Sequence, residues 1–208
     1  MKILLVSDMV VDYIYSNSLS ERMGDVDFVI SCGDLPNYYL EFIVSTLNKP
    51  LFYVMGNHNK PGIYTENGYE NQNHPQGCIN LDGKIINYKN VILAGLEGSM
   101  RYNDGIYQYS DFQMCGKINR LKPGLLFNKL FKKRYLDILV THAPPYKIHD
   151  KEDLCHRGFK CLNSFIYKYK PGYLIHGHIH LYGGDKQWKT VEGATTVINA
   201  YGCRIIEV

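Results

Sequence analysis

Asp8, Asp34, Asn57, His142, His178 and His180 are the residues of this sequence whose types could gather metal ions. Carboxylate, amide oxygen and imidazole together suit borderline divalent ions such as Mn, Fe, Zn, Ni or Co, whereas thiolate-only sets favour structural zinc. Two such ions about 3.5 to 4 Å apart, with Asp34 between them, would activate a shared water and clamp a phosphoryl oxygen. His178 and His180 stand two apart and would face opposite ways on an extended stretch, so a turn at Gly177 is expected to bring each to its own ion.

Residues so far apart in sequence meet only if the chain delivers them to one place, and short apolar runs do this. Run 3–6 stops at Ser7-Asp8, run 28–30 leads to Gly33-Asp34, and run 51–55 stops at Gly56-Asn57-His58. Runs 138–140 and 173–175 reach Thr141-His142 and His176-Gly177-His178-Ile179-His180. Each reads as a buried strand, and open α/β sheets bind ligands beyond the carboxyl ends of their strands.

Between them the order is βαβαβ over the first third: strand 2–6, helix 18–23, strand 27–31, helix 38–47 with Pro36 at its start, strand 51–55. That alternation implies a parallel core. Segment 59–77, rich in Asn, Gly, Pro and Gln, reads as a rim loop over the site. A β pair turning at Lys89-Asn90 is expected over 79–94. Ser110-Asp111-Phe112-Gln113 has the form of a capping box, opening a helix that Pro123-Gly124 should end, with a second helix over 125–135. Strand 137–141, a loop over 142–160, a helix near 161–169, strand 173–176 and an antiparallel tail over 190–208 complete the chain.

Composition bounds the rest. A chain of 208 residues suits one domain, 1–208, and 45% hydrophobic with 21% charged residues is a globular balance. No run approaches the roughly 18 apolar residues of a spanning helix, so no membrane partner is expected. The opening apolar stretch, interrupted by Asp8 and Asp12, reads as the first strand rather than a signal peptide. Cysteines 32, 78, 115, 155, 161 and 203 form no C-x-x-C pair, which points to reduced thiols and a cytoplasmic protein.

A net charge of +3 implies no nucleic-acid partner by itself. Lys117, Arg120, Lys122, Lys129, Lys132, Lys133 and Arg134 nevertheless fall in a stretch, 112–136, that has no acid. It reads as a solvated helix face with Leu125, Leu126, Leu130 and Phe131 on its buried side; attraction of an anionic substrate or RNA is the weaker alternative. His74, His149 and His156 read as loop residues, with His156 the best candidate to face the site, and His176 as a core residue. Tyr38, Tyr39, Tyr64, Tyr69, Tyr102, Tyr107 and Tyr109 lie near the expected rim, with packing their default role and stacking on a nucleobase the alternative.

Gly33-Asp34, Gly56-Asn57-His58-Asn59, Thr141-His142-Ala143-Pro144-Pro145 and Gly177-His178-Ile179-His180, in this order, make the chain resemble the calcineurin-like metallophosphoesterases. The resemblance implies a four-layer α-β-β-α sandwich of two facing mixed sheets with a dinuclear site at their joint edge. It places Asp8, Asp34 and His180 at the first ion, and Asp34, Asn57, His142 and His178 at the second. Asp34 thereby belongs to the catalytic centre, and His58 would be the acid that protonates the leaving group after attack by a metal-bound hydroxide.

Two positions depart from the family pattern. Val10 stands where Asp-x-His would supply an imidazole, so the first ion is expected to bind more weakly, with Asp12 a nearby substitute. Asn59 replaces the acid that usually follows the His. The expected substrate is a small phosphate ester or nucleotide. A phosphate-binding module without catalysis and a nuclease are the alternatives.

Overall fold

The computed structural model describes residues 1–59, 63–65, 68–70, 74–182 and 187–208. In chain order the first elements are β1 (Lys2–Ser7), α1 (Leu19–Met23), β2 (Phe28–Ser31), α2 (Asn37–Leu47) and β3 (Leu51–Tyr53). Next come β4 (Ile63–Thr65), β5 (Gly68–Glu70), β6 (Ile79–Asn80), β7 (Ile85–Tyr88), β8 (Val91–Leu96), β9 (Ser99–Met100) and β10 (Gln108–Tyr109). They are followed by α3 (Asp111–Lys132), β11 (Ile138–Thr141), α4 (Lys160–Tyr169), β12 (Tyr173–His176), β13 (Lys189–Glu192), β14 (Thr195–Asn199) and β15 (Gly202–Glu207).

Side chains alternate across a strand, and in β1 both sets are apolar: Ile3 and Leu5 on one face, Leu4 and Val6 on the other, all fully buried. Such a strand needs cover on both sides. Leu4, Val6, Val29 and Leu51 pack under Leu19 and Met23 of α1 and Leu40, Ile43 and Leu47 of α2. Ile3, Leu5, Phe28, Ile30 and Phe52 face Leu93, Ile138, Val140, Ile175 and Ile198 of a second sheet. The far side of that sheet, through Ile92, Ala94, Leu139, Leu174 and Val197, packs on Met114, Leu121 and Leu125 of α3 and on Leu162, Phe165 and Ile166 of α4. Three apolar layers thus separate four layers of structure, the α-β-β-α sandwich.

The first sheet has the order β15-β1-β2-β3-β6 and the second β13-β14-β12-β11-β8-β7. β1, β2 and β3 run parallel, as do β8, β11, β12 and β14, so their carboxyl ends share an edge. β15 runs antiparallel to β1, and β13 to β14.

Several expectations are corrected. Pro123 does not end a helix: α3 continues through it to Lys132, and no second helix begins at 125. Pro123 and Asn119, whose carbonyl loses its partner, are both exposed, so water can satisfy that oxygen, while Leu121 and Leu125 anchor the helix on either side. Of the side chains expected to be its buried face only Leu125 is buried; Leu126, Leu130 and Phe131 are exposed. The β pair over 79–94 divides, with β7 and β8 forming the hairpin and β6 joining β3 in the other sheet. The tail divides too, since β14 is parallel to β12 and β15 crosses to the first sheet. Within 59–77, β4 and β5 pair antiparallel, so this is no element-free loop; its rim role, and the side chains of Tyr64 and Tyr69, lie outside the described residues.

Candidate metal centre

Each candidate ligand sits just past a strand that ends at the shared edge, and three of them leave the extended conformation there. Asp8, Asp34 and His178 have φ of 63°, 53° and 66°. That left-handed turn is uncommon for residues with a side chain, and it aims successive strand-end groups into one crevice. The turn after β12 therefore falls at His178 rather than at Gly177. Glycine at 177 serves closeness instead: a Cβ there would overlap Ser7 Oγ and Asp8 Oδ2. Gly56 is held to the same limit by Asp34 Oδ1 and the His142 ring.

His142, completely buried, carries the bridge between the sheets. Its Nδ1 lies 2.7 Å from the Cys32 carbonyl, which can only accept, so Nδ1 holds the hydrogen. Nε2 then faces Asn57 Oδ1 at 2.9 Å and Asp34 Oδ2 at 3.3 Å. The Asn57 amide is oriented by Nδ2, which donates to the Tyr102 hydroxyl at 3.1 Å. His178 is fixed in the same manner, its Nε2 2.6 Å from the Cys155 carbonyl, which leaves the lone pair on Nδ1. Asp34, His142 and His178 each bring a ligand atom within 4.8 Å of the others.

Electrostatics agree with this reading. Burial opposes ionisation of Asp34, but the His142 charge and hydrogen bonds from His142 and the His58 backbone hold its carboxyl down at about 2. Burial also opposes protonation of His142, yet the carboxylates of Asp34 and Asp8 carry it up to about 9. His178 is pushed down to about 3 by burial and by the neighbouring His142 charge, and is neutral. Nitrogen and oxygen acceptors therefore face one another with a single proton among them, an arrangement that a divalent cation fits better than the proton does. Asp34, Asn57, His142 and His178 could hold that cation.

The other expected set is looser. Asp8 is buried, accepts from the His178 backbone N–H at 3.0 and 2.9 Å, and is raised by burial above the ordinary carboxylate range. His180 Nε2 lies 3.9 Å from Asp8 Oδ1, with its Nδ1 2.8 Å from the Tyr182 hydroxyl. Val10, partly buried, packs against the α1/α2 apolar layer. Asp12 is exposed, and no group of converging ligand atoms among the described residues includes it. His58 is exposed on the loop after β3, where its backbone N–H donates to Asp34 Oδ1 at 2.8 Å.

Some contributors carry no sequence signal. Asn59, which by sequence only replaces an acid, is a clamp: its Oδ1 accepts from Gly56 N at 2.7 Å and Asp34 N at 3.0 Å, and its Nδ2 donates to Leu35 O at 3.0 Å. Tyr102 is by sequence one rim tyrosine among several. The carbonyls of Cys32 and Cys155 are backbone groups that any residue could supply. His156, paired with Asp153 at 2.7 Å, does lie beside His178, with ring centroids 5.4 Å apart. His149 and His176 form a pair at 2.9 Å, and His176 is a fully buried core residue.

Comparison with curated proteins finds no match. Among solved structures, TT1561 of Thermus thermophilus is similar, at 18% identity and a TM-score of 0.63, over 97% of this chain and 89% of that one. A single mutant of Vps29 from Entamoeba histolytica aligns at 14% identity and a TM-score of 0.43, over 96% of this chain and 73% of that one. The family model for calcineurin-like phosphoesterases matches residues 1–182. With that match over the strands and loops that build the crevice, this chain belongs to the calcineurin-like phosphoesterase family.

Proposed function

We propose that this chain is a metal-dependent phosphoric-ester hydrolase acting on a small phosphate ester or nucleotide. The observation that carries the reading is the convergence from both sheets of His142 Nε2, Asn57 Oδ1 and Asp34 Oδ2, with Nε2 2.9 Å and 3.3 Å from the two oxygens. Asp34, Asn57, His142 and His178 would hold one divalent ion, of Mn, Fe, Zn, Ni or Co, and Asp8, Asp34 and His180 a second, weaker one. Such ions supply a Lewis acid that neutralises phosphoryl oxygens and lowers the pKa of water.

The chain's own groups do the rest. Cys32 and Cys155 carbonyls keep both buried imidazoles in the tautomers that point lone pairs inward. Tyr102 keeps the Asn57 oxygen inward. Asp34 anchors the His58 backbone at the mouth of the crevice, from which the exposed imidazole can hand a proton to the departing alkoxide. Free thiols at all six cysteines support a cytoplasmic setting.

His58→Ala should lower turnover about 100-fold or more for an alkyl phosphate ester and under about tenfold for p-nitrophenyl phosphate, whose leaving group needs no acid. Equal losses on both would remove the acid role. The packing of Val10 favours a second reading, a phosphate-binding module with one ion. A panel of mono- and diesters with Mn, Ni, Co, Zn and Mg, run on wild type and Val10→His, separates them. Turnover by wild type supports the hydrolase, and ligand binding without turnover supports the module.

A further inference from the structure

The end of α3 that lies away from the crevice carries a surface the proposed chemistry does not use. Leu126, Phe127, Leu130 and Phe131 are 60%, 59%, 64% and 64% exposed. Their spacing of i, i+1, i+4 and i+5 puts them on one helix face, opposite the buried Leu121, Leu125 and Asn128. The rings of Phe127 and Phe131 meet at 4.5 Å and form a ridge rather than a pocket.

Charge along this half of the helix is of one sign. Lys117 is withdrawn into a network with Asp82 and Glu97, and Arg134 pairs with Asp137. Arg120, Lys122, Lys129, Lys132 and Lys133 form no ion pair among the described residues, and no acid lies between Asp111 and Asp137 in the sequence. Beside the phenylalanines, Lys129 turns its ammonium group to the Lys133 carbonyl and over the Tyr135 ring, 5.4 Å from its centroid, and Lys133 turns its own to the Leu130 carbonyl; neither meets an acid among the described residues.

We propose that this ridge docks on an anionic phospholipid surface, with Leu126, Phe127, Leu130 and Phe131 entering the headgroup boundary and the flanking lysines meeting lipid phosphates. Charge complementarity chooses the occupant. An apolar crest between cations matches a layer that is apolar below and anionic above, and lysine stems can lie along apolar surface while their ammonium groups stay in the headgroups. Nucleic acid would engage the lysines and leave four large apolar side chains in water. The lack of a spanning segment, from which the sequence predicts no membrane partner, does not bear on this surface contact. α3 begins at Asp111, directly after β10 on the crevice side, and ends before the amino end of β11, whose other end leads to His142. Docked by this ridge, the protein keeps its crevice open to solution, and the proposal stands whether or not the crevice is catalytic.

Vesicle co-sedimentation of the full chain tests it. Wild type should pellet with phosphatidylcholine vesicles containing phosphatidylglycerol, not with phosphatidylcholine alone, and should be released by salt. Phe127→Ser/Phe131→Ser and Lys129→Glu/Lys133→Glu should each weaken binding roughly tenfold or more. Both pairs are exposed, so each variant should keep the wild-type circular dichroism spectrum at the assay temperature, the charge reversals at the helix end lowering the melting temperature by no more than a few degrees. Absence of wild-type binding, or binding indifferent to loss of the phenylalanines, overturns the proposal. So does a concentration-dependent dimer that Phe127→Ser/Phe131→Ser dissociates, because the ridge would then cover a second copy of the chain.

Discussion

At the scale of single residues, His142 decides how the centre meets a cation. Without metal its imidazolium is shared with Asp34, since the carboxylates lift it from 6.5 to about 9. This pairing stabilises the metal-free fold fully below the unfolded value of 6.5, and its contribution is lost as pH rises through about 9. An incoming ion must displace the proton, so apparent metal affinity should rise with pH and level off above about 9. Calorimetry at pH 7 in buffers of differing ionisation enthalpy should find about one proton released per ion at this site. No release would mean that the ion does not bind through Nε2 of His142. The same scale shows what sequence could tell. Side chains with metal-binding chemistry are legible because few residue types supply it; Asn59 is not, because an amide that clamps two loops and an amide that merely replaces an acid look alike until Gly56 N and Asp34 N are seen at its oxygen.

At the scale of elements, the strands are legible and the long helix is legible only at its start, where the Ser110 and Gln113 capping box forms as read, and not in its length. Runs such as Leu4-Leu5-Val6 and Leu139-Val140 are apolar on consecutive residues, which fits strands covered on both faces. Pro123 misleads because a local rule about helix breaking competes with packing: Leu121 and Leu125 are held against the second sheet on both sides of it. Leu126, Leu130 and Phe131 mislead because apolar side chains are expected inside, and their exposure depends on which face Met114 and Ile118 have already committed to the sheet. If packing does carry α3 through Pro123, the proline is a tolerated cost. Pro123→Ala should restore the bond to the Asn119 carbonyl and raise stability by about 1 to 3 kcal/mol in urea unfolding, less the entropy that alanine returns to the unfolded chain. A loss of stability would show that the backbone geometry proline fixes at this position is needed for the fit of the helix to the sheet.

At the scale of the molecule, the crevice is a joint between two sheets whose facing sides meet mainly through apolar side chains. Asp8, Asp34 and Asn57 come from the first sheet's loops, and His142, His178 and His180 from the second's. Direct polar ties across this edge include His142 Nδ1 to the Cys32 carbonyl, its Nε2 to Asn57 Oδ1 and Asp34 Oδ2, Asn57 Nδ2 to the Tyr102 hydroxyl, the His178 backbone to Asp8, and Gly98 N to Met55 O at 2.8 Å. An ion held by Asp34, Asn57, His142 and His178 would add bonds from both sheets to one centre, and it could do so only in the folded state. At about 100 times its Kd such an ion should stabilise the fold by about 2.7 kcal/mol. For a chain of this size that is a rise in Tm of roughly 5 to 10 °C over a chelator-treated sample. Because the loss falls on ligands rather than on packing, His142→Ala should abolish the rise whatever it does to the metal-free Tm. Val10→His should enlarge the rise if an imidazole at position 10 completes the weaker set around Asp8 and His180. A Tm unmoved by Mn, Co, Ni or Zn in the wild-type protein would mean that the sheets are joined without a cation, and the centre would lose its assignment.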